Sequence, residues 1–122
     1  MQIQFKATNY ELGPEMTDLA TKKLLSLRKY LGKNDRPVYI YADLGKTSEA
    51  HQNGEVWFTE LNLDMEGTRY NVRATAESLR SAIDKASGEL GEKLKTEKNK
   101  RESTLKKSGA RIKDFFRFGR DA

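Results

Sequence analysis

Residues 57–94 read WFTELNLDMEGTRYNVRATAESLRSAIDKASGELGEKL, and the fold is decided inside this stretch. Trp57, Thr59, Leu61, Leu63 and Met65 occupy alternate positions, and a period of two marks a half-buried strand. Glu66-Gly67 supplies the two residues of a tight hairpin turn. Beyond it Tyr70, Val72, Ala74 and Ala76 alternate with Arg69, Asn71, Arg73 and Thr75. From Glu77 or Ser78 the period changes. Leu79, Ile83, Ala86, Leu90 and Leu94 recur at helical spacing and predict an amphipathic helix.

The same logic extends towards the N-terminus. Val38, Ile40, Ala42 and Leu44 share one face of a further strand, and Ile3, Phe5 and Ala7 share one face of a strand over Gln2 to Thr8. Between them Gly13-Pro14-Glu15 opens a helix. Proline fits a first helical turn, and an acid there complements the helix dipole. Met16, Leu19, Ala20, Leu24, Leu27 and Leu31 continue its apolar stripe to an end near Gly32. The polar stretch between Gly45 and Gly54 reads as a loop and holds the only histidine, His51. The order is β-α-β-β-β-α. Each strand has one apolar face and each helix one apolar stripe. The expected fold is therefore α+β, a two-layer sandwich whose four-stranded sheet carries both helices on one face and leaves the other open.

The chain has 122 residues, 36% hydrophobic and 34% charged, which suffices for one core. Without cysteine it can form neither disulfides nor thiolate metal sites. The opening MQIQFKATNYELG has no basic start followed by an apolar run, so no signal peptide is expected. No apolar run approaches the ~20 residues of a membrane span. A cytoplasmic protein without a membrane partner is the expectation.

Charge is distributed unevenly. Residues 1–92 carry 12 Lys/Arg against 14 Asp/Glu, whereas residues 93–122 carry 11 against 4. A basic field confined to the last quarter of the chain points to a polyanionic partner, with RNA, DNA and acidic membrane all open on charge alone. The apolar stripe of the last helix stops at Leu94, but the helical pattern continues to about Lys107. A helix polar all round does not pack on a core. Lys93, Lys100 and Lys107 lie two turns apart on one face, flanked by Lys95, Lys98, Arg101 and Lys106. Such a rod can contact several phosphates and release their counterions. Local pairing of Glu97 and Glu102 with lysines on a solvated helix end is the plainer account.

Other features are weaker. Lys22, Lys29 and Lys33, with Lys23 beside them, line a polar face of the first helix and matter only if the two helices form one basic surface. Gly88 and Gly91 each cost the second helix about 1 kcal/mol relative to alanine. Close packing of helix on sheet explains them, as does approach of an RNA backbone. Tyr39, Tyr41, Arg69 and Arg73 fall on the open sheet face, where cross-strand pairing competes with base stacking as their explanation. The pattern divides the chain into an α+β domain over residues 1–107 and a basic tail over residues 108–122. In that tail Arg111, Phe115, Phe116 and Arg117 suit either nucleic-acid contact or docking in a protein groove. No catalytic constellation, metal motif or phosphate-cradling loop is present, so no enzyme activity, cofactor, metal or small-molecule substrate is expected.

Two stretches carry a family resemblance. MQIQFKATNYELGPEMTDLATKKLLSLRKYL and ESLRSAIDKASGELGEKLKTEKNK resemble the first strand and helix, and the second helix, of the bacterial hibernation-promoting factor and ribosome-associated inhibitor family. Leu79, Ala82-Ile83-Asp84, Leu90, Leu94 and Lys98-x-Lys100 fall in the family's register, and the likeness covers about residues 1–101. It implies a fold related in shape to double-stranded RNA-binding domains. It also implies a stress-response role: binding small-subunit rRNA at the decoding region, overlapping the tRNA and mRNA sites and inhibiting translation. Carried over residue by residue, the rRNA contacts would be Lys22, Lys23 and Lys29 on the first helix. On the second they would be Lys85, Lys93, Lys95, Lys98, Lys100 and Arg101. The family's long form adds a C-terminal domain that pairs ribosomes, and a chain of this length leaves no room for one, so a short-form role is expected. The stretch Gly88 to Glu92 is richer in glycine and acid than the family pattern. Two alternatives remain: a general double-stranded RNA-binding module, and a transcription modulator acting by protein contact. The first places lysines at the start of its last helix, where this chain has TAESLRSAID.

Overall fold

The computed structural model describes residues 1–32, 37–47 and 56–121, with side chains described through Lys100. Lys33 and His51 lie outside the described residues. The elements are β1 (Gln2–Thr8), α1 (Pro14–Leu25), a 3-10 segment (Ser26–Tyr30), β2 (Val38–Lys46), β3 (Trp57–Met65), β4 (Thr68–Ala76) and α2 (Leu79–Asp121). The sheet runs β1-β2-β3-β4. The helical crossover makes β1 parallel to β2, and the short connections make β2–β3 and β3–β4 antiparallel. The result is the expected α+β arrangement: a mixed four-stranded sheet covered on one face by two helices.

The apolar faces read from the sequence are the ones that close the core. Ile40, Leu44, Leu61, Leu63, Ile83, Leu90 and Leu94 are at most 2% exposed. Removing each such side chain from water contributes roughly 1.5–3 kcal/mol. The larger cluster joins Leu24, Leu27 and Leu31 to the inward residues of β2, β3 and β4 and to Ala86, Leu90 and Leu94 of α2. A smaller one gathers Ala20, Leu44, Leu79 and Ile83 at the other end, with Trp57 and Tyr10 in edge-to-face contact at 5.3 Å.

The hairpin falls at Glu66-Gly67. Met65 pairs with Thr68, and both turn residues have positive φ, 50° and 83°. That is the turn whose twist matches antiparallel strands. The α2 start is capped where expected: the Ser81 amide donates to Ser78 Oγ at 3.2 Å and the Ala82 amide to the Ser78 carbonyl at 3.0 Å.

Three features depart from the sequence expectation. The first helix is α-helical only to Leu25. Ser26 Oγ donates to the Lys23 carbonyl at 2.6 Å, and the path tightens to 3-10 before Gly32 ends it at a φ of +86°. The tightened turn still delivers Leu27 and Leu31 to the core. Second, α2 does not stop near Lys107; its backbone is helical to Asp121. Third, Gly91 is explained by packing, though not of helix on sheet. A Cβ there would meet Leu27 Cδ2 at 3.2 Å, so the close approach is to the 3-10 segment. At Gly88 a Cβ would meet nothing within 4 Å.

Gly45 faces the open side of the sheet, and a Cβ there would run into the backbone carbonyl of Thr8. Backbone cannot give way as a side chain can. Gly45→Ala is expected to cost about 1–3 kcal/mol through overpacking. Gly88→Ala, in open space within a helix, is expected to stabilise by about 1 kcal/mol. Urea unfolding of the two variants against wild type reads both signs in one experiment.

Candidate nucleic-acid interface

α2 is the element that presents charge. Its first half is fixed by the stripe ending at Leu94; past it, Lys95, Thr96, Asn99 and Lys100 are exposed, with Glu97 and Lys98 partly covered. Helical geometry then sets where each cation goes.

On one flank α2 runs beside β4, the edge strand. Lys85 Nζ donates to the Thr75 carbonyl at 3.0 Å and Lys93 Nζ to the Asn71 carbonyl at 2.8 Å. These lysines occupy outward-pointing backbone acceptors that an open sheet edge would offer to another strand. Sequence reading assigned them to phosphate contact and missed the edge, because periodicity does not say which strand ends up outermost.

On the other flank α2 lies against α1 and the 3-10 segment. Lys23 Nζ pairs with Asp84 at 3.1 Å, Lys98 Nζ reaches the Lys29 carbonyl at 3.4 Å, and Lys29 Nζ sits 5.2 Å from the Tyr30 ring centre. The two helices thus bring Lys23, Lys29 and Lys98 to one seam. Lys22, Lys95 and Lys100 are exposed, and no hydrogen bond or ion pair to a described residue holds them. The cations are therefore divided: Lys85 and Lys93 lie on the sheet-edge flank, and Lys23, Lys29 and Lys98 at the helix seam. The side chains of Arg101, Arg111, Phe115, Phe116 and Arg117 lie outside the described residues; their backbone is part of α2.

A groove of about 320 Å³ separates the helices. Lys23, Ser26, Lys29 and Tyr30 form one wall and Asp84 and Glu92 the other, with Ser87, Gly88 and Gly91 along α2. Ser87 is only 6% exposed, and its Oγ has no hydrogen-bond partner among the described residues. An unpaired buried hydroxyl is costly, about 1–3 kcal/mol. A serine among glycines on a helix carries no sequence signal of this kind.

The open sheet face is largely occupied with itself. Arg69 Nε lies 3.5 Å from Asp64, Arg73 stacks 4.3 Å over Phe58, and Asn71 donates to Asn62 at 2.7 Å and Glu60 at 3.2 Å. These are the cross-strand pairs expected of a solvated face. Tyr39 and Tyr41 remain 39% and 47% exposed. Among the described residues no group of His, Cys, Asp and Glu is placed to hold a metal ion, and no helix is long and apolar enough to cross a membrane.

A sequence-family model described as "Sigma 54 modulation protein / S30EA ribosomal protein" matches residues 3–102. No curated protein sequence matches the chain. Among solved structures, the N-terminal domain of Thermus thermophilus protein Y is similar at a TM-score of 0.65 and 24% identity, covering 79% of this chain and 98% of that one. A ribosomal subunit interface protein from Coxiella burnetii is similar at a TM-score of 0.62 and 17% identity, covering 81% of this chain and 99% of that one. At these identities the structural likeness speaks for the fold.

The Lys23–Asp84 pair is half exposed on both sides, and such pairs contribute little. A double-mutant cycle with Lys23→Met and Asp84→Asn, read by thermal unfolding, is expected to give a coupling of about 0.2–1 kcal/mol.

Proposed function

The chain belongs to the Sigma 54 modulation protein / S30EA ribosomal protein family, a family of ribosome-associated factors, and on that premise we propose that it is a hibernation factor that binds small-subunit rRNA at the decoding region, occupies the tRNA and mRNA sites and inhibits translation. The observation that carries this reading is the continuation of α2 beyond its own core. After Leu94 the stripe is broken by Glu97, Lys98 and Arg101, and residues 93–122 hold 11 Lys/Arg against 4 Asp/Glu. A cationic rod anchored at one end in a folded domain suits a phosphate-lined channel.

The mechanism involves no covalent chemistry and no cofactor. Lys22, Lys95 and Lys100 offer charges not engaged with described residues. Lys23, Lys29 and Lys98 line the helix seam, and Lys85 and Lys93 exchange a backbone carbonyl for a phosphate or serve both. Arg101 and, further along, Arg111, Phe115, Phe116 and Arg117 extend the contact. The domain itself, set at residues 1–107, supplies the bulk that excludes tRNA; residues 108–122 act as a tail that the fold does not need. The place of action is the cytoplasm. The description of the Coxiella protein as a ribosomal subunit interface protein supports the same partner here.

The family's description also names sigma 54 modulation. A transcription modulator acting by protein contact is therefore the second reading. A general double-stranded RNA binder is disfavoured by Glu77 and Asp84 at the start of α2.

Cosedimentation with purified small subunits separates these readings. Reversing Lys93, Lys98 and Lys100 together is expected to abolish pelleting. Because Lys93 also covers a sheet-edge carbonyl, the cleaner variant is Lys95→Glu with Lys100→Glu. It should weaken binding at least tenfold while unfolding within about 0.5 kcal/mol of wild type. Affinity should fall steeply with salt, by roughly 0.9 in log–log slope per phosphate engaged on a duplex. A flat salt dependence would favour protein contact. Deletion of 108–122 is expected to leave the melting temperature unchanged, and a large drop would place the tail in the core.

A further inference from the structure

The two glycines of α2 differ in what they answer to. Gly91 is required by the close approach of Leu27, whereas at Gly88 a side chain would meet empty space. Glycine within a helix is unfavourable, and no described residue comes close enough to a Cβ at Gly88 to offset that cost. The space above it belongs to the groove between α2 and the first helix. Beside it lies Ser87, 6% exposed, with an Oγ that neither donates to nor accepts from any described residue. A small-residue trough and an orphan hydroxyl thus coincide.

The walls of the groove are chemically opposite. α1 contributes Lys23 and the 3-10 segment Lys29, and α2 contributes Asp84 and Glu92. A plain anion would meet repulsion from the acidic wall. A ligand matching both walls carries a phosphate on one side and hydroxyl donors on the other. A ribose with its phosphate has this arrangement, and its 2′-hydroxyl is the group that distinguishes RNA from DNA. We infer that the groove between the helices holds one ribose-phosphate unit of an RNA strand. The phosphate faces Lys23 and Lys29, the sugar lies over Gly88, and a ribose hydroxyl bonds Ser87 Oγ and the acidic wall. The Lys23–Asp84 pair exchanges into this contact at little cost, being half exposed. The acid that sets Gly88 to Glu92 apart from the family pattern then acts as a reader of sugar hydroxyls. This assignment rests on the RNA-binding reading above and adds a place and a chemical group to it.

The test uses the full chain and purified small ribosomal subunits. Gly88→Leu fills the trough, and Ser87→Ala removes the hydroxyl. Affinity is measured by cosedimentation across a salt series, with thermal unfolding to confirm that each variant is folded. Gly88→Leu is expected to lose tenfold or more and Ser87→Ala several-fold. Neither should change the slope of log affinity against log salt, because neither removes a cation. Acylation of rRNA 2′-hydroxyls should show at least one nucleotide protected by wild type and exposed again with both variants. Unchanged affinity of folded Gly88→Leu overturns the inference. So does a loss accompanied by a shallower salt slope, which would mean displaced lysines, and so do 2′-hydroxyl protections that persist in both variants. If wild type itself fails to pellet, the RNA-binding reading falls and takes this one with it; if Lys95→Glu with Lys100→Glu abolishes binding while the groove variants do not, this one falls alone.

Discussion

The leucine stripe of α2 ends at Leu94, and the helix does not. Ile83, Leu90 and Leu94 are buried almost completely against the sheet and the first helix, so the axis of α2 is set by the core. Whatever the helix carries past that point is aimed by the same packing. Isolated helices of modest length are marginal in water, because nucleation is unfavourable and propagation adds little per residue. A buried first half supplies the nucleus, and the basic second half needs only to propagate from it. One constraint therefore fixes the sheet's cover and the direction of the charged rod together.

The lysines on this scaffold are not equivalent. Lys85 and Lys93 close the outer carbonyls of β4, and Lys23 and Lys98 tie α2 to the first helix and its 3-10 extension. A side chain that donates to an exposed carbonyl gives up a bond that water or phosphate replaces readily, so these cations remain available to a stronger acceptor. The effect is to hold flexible side chains near one surface before a partner arrives, which reduces the entropy that binding must overcome. The open sheet face has its own cross-strand ion pair, cation–π contact and amide ladder, leaving Tyr39 and Tyr41 as its main exposed apolar surface.

Much of this was legible in the sequence, and the limits follow from what periodicity measures. Alternation at Val38 to Leu44 and Trp57 to Met65 told which side chains face inward, and Glu66-Gly67 marked the turn, because glycine readily takes the positive φ found at its second position. The family register of Ala82-Ile83-Asp84 and Lys98-x-Lys100 pointed to the ribosome-associated family that residues 3–102 match. A stripe says that a face is apolar without saying what packs on it. Gly91 therefore read as a contact with the sheet when it meets Leu27, and Lys85 and Lys93 read as candidate rRNA contacts with no sign that they also reach β4. The change to 3-10 geometry at Ser26 rests on one hydroxyl's choice of acceptor, and the constraint at Gly45 on how closely β1 crosses β2. The orphan state of Ser87 depends on three elements at once, and no local pattern encodes it.

The claim that most of the account depends on is that the surface built around α2 meets small-subunit rRNA at the decoding region. Hydroxyl-radical footprinting of small subunits, with and without the protein, tests it most directly. The account predicts protection of the rRNA backbone confined to the region that tRNA and mRNA occupy, lost when those ligands are bound first. Protection elsewhere on the subunit, or no protection at concentrations where the protein pellets with it, would contradict it.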